Sequence, residues 1–204
     1  MAALRKTKHD VVAEFRCAEI LNAARKVFAA RGFSDATVDE IAAEAGIAKG
    51  TVYLYFSSKK DIYLAALKQG IMELQERTRS TMQTSEGIAA KLQSFIRTRL
   101  EYAEANRDFF KIYHSEFGNL TNAAACDSEF QQLYLRQAKA LEIVLREAME
   151  SGEIRHIRSN FAAFIIYDMV KGVMTQRLLE WSTVPLEEDI QLLNDLIWKG
   201  IAAS

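Results

Sequence analysis

The stretch KGTVYLYFSSKKD, Lys49–Asp61, gathers aromatic bulk and three lysines directly after AGIA (residues 45–48), which has almost no bulk at all. At about 100° per residue, a helix opening here turns Val52 inward, with Ala48, Tyr55 and Phe56 within roughly 60° of it. Gly50 and Leu54 then point almost directly away, flanked by Thr51 and Tyr53. Val52 and Phe56 thus anchor the helix. Its free face is small at the start, apolar, and armed with two hydroxyls, which is an odd surface to present to water alone.

The residues upstream explain how such a face is presented. In TVDE, Thr37 to Glu40, the threonine hydroxyl can cap an amide three residues on while the glutamate reaches back, so a helix opens here and stops near Gly46. Small Ala42, Ala43 and Ala45, the Gly46 turn and apolar Ile47 let that helix cross the next one closely. This is the layout of a helix-turn-helix, whose second helix enters a major groove. On that reading Gly50 lets the backbone approach the duplex. The Thr51 methyl or Leu54 meets a thymine methyl, and Lys49 donates to guanine. Tyr53, Tyr55 and Lys59 are placed to hold phosphate oxygens, and the helix starts near Thr37 and Ser58 add backbone amides. A preceding helix over 12–31 carries Phe15, Ala18, Ile20, Leu21, Ala24, Val27 and Phe28 at three- and four-residue spacing, and Gly32 stops it.

Residues 32–67, GFSDATVDEIAAEAGIAKGTVYLYFSSKKDIYLAAL, resemble the N-terminal DNA-binding domain of the tetracycline-repressor (TetR) family of bacterial transcription regulators. The likeness rests on Phe28, Gly32 and Phe33, on Thr37 with Ile41-Ala42, on Ala45-Gly46 and Gly50-Thr51, and on Tyr53, Tyr55-Phe56 and Lys59. It implies that Thr37, Tyr55 and Lys59 contact phosphates while the third helix reads bases. Two positions depart from the family's pattern: Ser57, where a proline is frequent, and Leu54, often polar or basic in relatives, where no guanine contact is available.

Beyond this region the chain reads as helix after helix. One begins at Ser58, whose SKKD repeats the capping pattern, and others are expected at 88–105, 107–117, 128–151, 159–182 and 186–202, with Pro185 in the first turn of the last. The fold class is therefore all-α. We expect a disordered tail over 1–10, a DNA-binding domain over 11–57 and a ligand-binding and dimerisation domain over 58–204. The resemblance implies that the second domain binds an inducer and pairs through its last two helices. Phe161, Ile165 and Met169 on one, with Leu193 and Ile197 on the other, suit that pairing or an ordinary monomer core. Residues 88–182 are also rich in rings. Phe95, Tyr102, Phe109, Phe110, Tyr113 and His114 come first, and Phe117, Phe130, Tyr134, Phe164 and Tyr167 follow. They suit either a largely apolar pocket with a few polar points or plain core. A pocket of this kind takes a mainly hydrophobic ligand.

The totals agree with a DNA-binding head. Residues 1–60 hold ten Lys/Arg against seven Asp/Glu, a net +3, in a chain whose formal charge is −1. Cys17 and Cys126 have no pairing pattern, which suits a reducing cytoplasm, and no apolar run reaches a membrane span; FAAFIIY, 161–167, is broken by Asp168. An enzyme, or a small-molecule-binding helical protein with no DNA role, is the competing class. His114, Ser115 and Glu116 supply catalytic residue types, but consecutive helical residues diverge by about 100° and cannot form a relay. His9, His114 and His156 are too dispersed for a zinc site, and no Gly-rich phosphate loop appears. The expectation is a cytoplasmic homodimeric regulator without cofactor or metal, a repressor that a small-molecule inducer releases from a near-palindromic DNA operator.

Overall fold

The computed structural model describes residues 7–117 and 128–202, and within them it consists of nine helices and no strand. These are α1 (Lys8–Asp35), α2 (Val38–Glu44), α3 (Lys49–Tyr53), α4 (Lys59–Gln83), α5 (Gly87–Ala105), α6 (Arg107–Phe117), α7 (Ser128–Glu150), α8 (Ser159–Leu178) and α9 (Leu186–Ile201). A lone antiparallel bridge joins Ile154 to Ala202.

The starts and stops follow local chemistry. Thr37 and Glu40 form the reciprocal capping box foreseen for α2, and Ser58 accepts from the Asp61 amide at the head of α4. Gly32 and Gly46 lie in the left-handed region, with φ of 74° and 67°, where a side chain would be strained. Gly32 breaks α1 before its last few residues. At its other end α1 corrects the expected tail. Thr7 and Asp10 make a second capping box, so residues 8–10 are already helix, while residues 1–6 lie outside those described. The end of α8 is a second correction, since it closes at Leu178 instead of reaching 182. The Trp181 and Ser182 amides fold back onto the Gln176 carbonyl at 2.8 and 3.3 Å, and Glu180 takes a positive φ of 60° to allow it.

One continuous apolar core runs through the chain. Ile20, Ala24 and Phe28 of α1 pack with Ile41 of α2 and Val52 of α3, all fully buried. Tyr63 of α4 sets its ring 5.1 Å from Phe28 and 5.0 Å from Phe33, tying the long fourth helix to the three before it. Further along, α4 packs along α5. There Thr81 meets Thr98 at 2.9 Å and Ser85 meets Ser94 at 2.7 Å, a pairing that shows the two helices to be antiparallel. Arg177 of α8 binds Glu104 of α5 and Asp189 of α9, at 2.5 and 2.6 Å, and so pins three helices at one point.

Candidate nucleic-acid interface

Only Val52 of α3 is fully buried, and the helix is five residues long. Turn bonds from Leu54, Tyr55 and Phe56 back to Thr51 and Val52 continue the coil past its end, which holds Tyr55 and Phe56 half-buried against the core. Gly50 and Tyr53 are exposed, Thr51 is half-exposed, and Leu54 is 80 % exposed, the most open large apolar side chain of the described residues. The outward face read from the sequence is thus on the surface. No atom lies within 4 Å of a Cβ built at Gly50, so this glycine leaves open space and not a packed contact.

Around this face the charges are already engaged. Lys49 Nζ lies 2.7 Å from Asp39 Oδ2 of α2, and this hydrogen bond raises the lysine's pKa. Lys26 binds Glu44 at 2.7 Å and Arg31 binds Glu40 at 3.0 Å, so α1 and α2 are cross-linked on the same side. Lys59 has a task that sequence reading missed. Its ammonium donates to the Ser34 and Ala36 carbonyls at 2.9 and 2.8 Å and sits 4.7 Å from the centre of the Phe33 ring. Two of its three N–H groups therefore close the α1–α2 turn onto the head of α4. Thr37 is exposed, and its hydroxyl serves as the helix cap. Among the described residues no group of three or more His, Cys, Asp or Glu side chains is placed to share a metal ion. No helix among them is long and apolar enough to cross a membrane.

In the second half of the chain, Tyr102, Phe109, Phe110 and Tyr113 pack on one another with ring centres 5.0–6.2 Å apart, all buried. They are a filled core. Tyr113 reaches the Tyr167 hydroxyl at 2.8 Å, and Tyr167 donates to Gln137 Oε1 at 3.0 Å. His114 Nε2 lies 3.1 Å from Thr175 Oγ1. Because Thr175 donates its own hydrogen to the Lys171 carbonyl, the imidazole Nε2–H is the donor here. A cavity of about 650 Å³ opens elsewhere, between α4, α5 and α7, and of the residues read as pocket wall Phe95 alone lines it. Phe164 is half-buried on α8, whereas the side chains of Phe117, Phe130 and Tyr134 lie outside the described set.

The expected pairing surface is corrected in part. Phe161 and Ile165 of α8 are exposed and Met169 is half-buried, but Leu193 and Ile197 of α9 are buried in the chain's own core. The apolar residues that α9 turns outward are Leu192 and Leu196. Two apolar stripes run side by side on this helix, and periodicity does not say which of them faces in.

A short, exposed helix held across a capped helix by one buried valine, with a third helix behind both, defines a helix-turn-helix DNA-binding protein. The sequence pattern of the bacterial regulatory proteins of the tetR family matches residues 20–66, and the tetracyclin repressor-like C-terminal domain matches residues 85–175. The chain belongs to the tetR family, and it is a DNA-binding transcriptional regulator, not an enzyme. It is similar to the fatty acid metabolism regulator protein of Bacillus subtilis (strain 168), with 22% identity over 179 residues, 88% of this chain and 90% of that one. Among solved structures it superposes on the fatty acid degradation regulator FadR from Bacillus halodurans with a TM-score of 0.77, 23% identity, and 95% and 96% of the two chains covered. The ketosteroid transcriptional regulator KstR2 of Mycobacterium tuberculosis gives a TM-score of 0.71 at 24% identity over 93% and 96%.

Proposed function

We propose that this regulator is a cytoplasmic, homodimeric repressor that holds a near-palindromic operator and is released from it by a mainly hydrophobic small molecule. The observation that carries the DNA-binding half is the α3 face, where Leu54 and Tyr53 stand in solvent, 80 % and 48 % exposed, while Val52 beside them is fully buried. Lys49, Gly50, Thr51, Tyr53 and Leu54 meet the base edges and sugar-phosphate wall of one major groove, with Lys49 exchanging Asp39 for the duplex. Thr37, Tyr55 and Lys59 hold flanking phosphates. We place the division of labour at the head of α4: residues 11–57 bind DNA and residues 58–204 sense and pair.

Pairing is supported by Phe161, Ile165, Leu192 and Leu196, large apolar side chains that stand exposed on adjacent helices. A two-fold dimer carries two recognition helices, and it engages both half-sites of a palindrome at once. For the ligand, the two regulators of like fold are named for fatty acids and ketosteroids, both apolar classes. Such a ligand must favour the DNA-incompetent arrangement, because one that bound both states alike would shift nothing.

The test is selection of bound duplexes from a random library, followed by gel shifts with genomic fragments adjoining the gene. A symmetric consensus, bound by dimers, is the expected result. Recovery of no enriched sequence, or of an asymmetric one bound by monomers, overturns the reading.

A further inference from the structure

The cavity between α4, α5 and α7 contains a charge with no counter-charge. Arg99 of α5 is only 4 % exposed, yet its guanidinium makes no ion pair among the described residues; its hydrogen bond, at 2.8 Å, goes to the neutral Gln137 Oε1. The rings of Phe95 and Tyr167 lie 5.2 and 4.6 Å from it. A buried, unpaired guanidinium is costly unless something satisfies it.

The amides beside it have the same deficit. Gln137 is 5 % exposed, and its Oε1 accepts from both Arg99 and Tyr167. Arginine has only donors to offer, so the amide orientation is fixed and Nε2 is the atom left over. That buried nitrogen has no acceptor, and neither does Nε2 of Gln75, which lines the same cavity from α4. Three donor-bearing side chains thus line one cavity, and the single acceptor among them that is in use, Gln137 Oε1, is already shared by Arg99 and Tyr167 while both amide nitrogens go without. Arg79, Lys91 and Arg136 add positive charge to its walls, against the single carboxylate of Glu147.

Apart from Thr78, Gln83 and Ser85 the rest of the wall is apolar, and the helices order it. Because α4 and α5 are antiparallel, with Thr81 opposite Thr98 and Ser85 opposite Ser94, the order along the pair is Gln75, Arg99, Met82, Phe95. On α7, Leu141 and Val144 follow Gln137 by one and two turns. Donors therefore cluster toward one end and greasy side chains line the stretch beyond. We propose that this cavity binds an anionic amphiphile, a carboxylate on an acyl or aryl chain. Arg99, Gln137 and Gln75 take the head, and Met82, Phe95, Leu141 and Val144 take the chain. The proposal rests on the reading of this protein as a ligand-released regulator and names the chemistry of the ligand. At about 650 Å³ the cavity falls in the range of small-molecule sites, about 300–1,000 Å³.

Calorimetric titration of the full-length protein tests it with decanoate and 4-hexylbenzoate, which separate an acyl from an aryl chain, and with decanol, which keeps the chain without the charge. We expect a carboxylate to bind at least about tenfold more tightly than the alcohol, the worth of a charge-assisted hydrogen-bond set. Arg99→Met keeps the apolar stem and removes the charge. It should erase that preference while the unliganded protein melts no lower than wild type, an outcome that a merely structural arginine does not give. Gln75→Leu, at a half-buried position, repeats the test without touching Arg99 and should weaken the carboxylates alone. Equal binding of decanol and the carboxylates, no binding of either carboxylate, or a preference that survives both substitutions overturns the proposal. Gel shifts run in parallel separate the two readings. Carboxylate binding without operator release removes the release reading and leaves the site standing. Release by another apolar compound, with no carboxylate bound, does the reverse.

Discussion

Gly70 of α4 lies so close to Phe109 of α6 that a Cβ on the glycine would stand 2.4 Å from two carbons of the ring. Gly70 and Phe109 are both buried, and the Arg25 guanidinium of α1 sits 5.7 Å from the same ring's centre. Helix α4, which starts beside the DNA-binding face, is therefore seated on an aromatic wall of the second half of the chain with no clearance for even one methyl group.

Gly70→Ala must displace the ring or part the helices. Overpacking of this kind typically costs about 1–3 kcal/mol, against a gain of up to about 1 kcal/mol from alanine's better helix propensity. We expect net destabilisation in urea unfolding, and partial recovery when Phe109→Leu is added. A Gly70→Ala protein as stable as wild type would show that α6 gives way freely.

Lys59 closes the turn between α1 and α2 and is also proposed to face a phosphate, so its loss should register twice. Lys59→Ala is expected to lower the unfolding free energy by about 1 kcal/mol through its bonds to Ser34 and Ala36. It should also weaken a panel of related operators by a similar factor, because phosphate contacts position without specifying. Tyr55→Phe should do the second without the first, and changes at Lys49 or Thr51 should reorder the panel. A Lys59→Ala protein that reordered it while keeping its overall affinity would contradict these roles.

The two apolar stripes of α9 give a sharp contrast between neighbours. Leu196→Glu, or Ile165→Glu on α8, places a charge on the exposed face and should yield monomers with unchanged helical circular dichroism and poor operator binding. Leu193→Glu puts a carboxylate into the core and should unfold the protein instead. Sedimentation and circular dichroism on the three variants decide the matter; dimers from the first two would move the pairing surface elsewhere.

His114 predicts an acid limb. Burial, and then the nearby charge of Lys171, holds its pKa below the ordinary 6.5, so the folded protein keeps the ring neutral. The unfolded chain takes up the proton first as pH falls. Stability from this group is accordingly whole above about pH 6.5 and is lost as pH drops from there through the lower folded value. Thermal melts from pH 7.5 to 5 should fall for wild type and fall less steeply for His114→Gln.

The sequence by itself determined the all-helical class, the order of the helices, the capping box at Thr37 and the N-cap at Ser58, the stops at Gly32 and Gly46, and the inward turn of Val52 with Leu54 opposite. These features depend on residues within a few positions of one another, so 3.6-residue periodicity and cap chemistry suffice to read them. The tertiary structure alone decided that Leu193 and not Leu192 is core, that Lys59 binds carbonyls 23 and 25 positions earlier, and that the rings around Tyr102 fill space while a cavity opens beside Arg99. Each of these turns on which of several equally apolar or equally charged faces meets a helix distant in the chain. That choice is made by the packing of all the helices together, because no short stretch contains both of the partners it brings into contact.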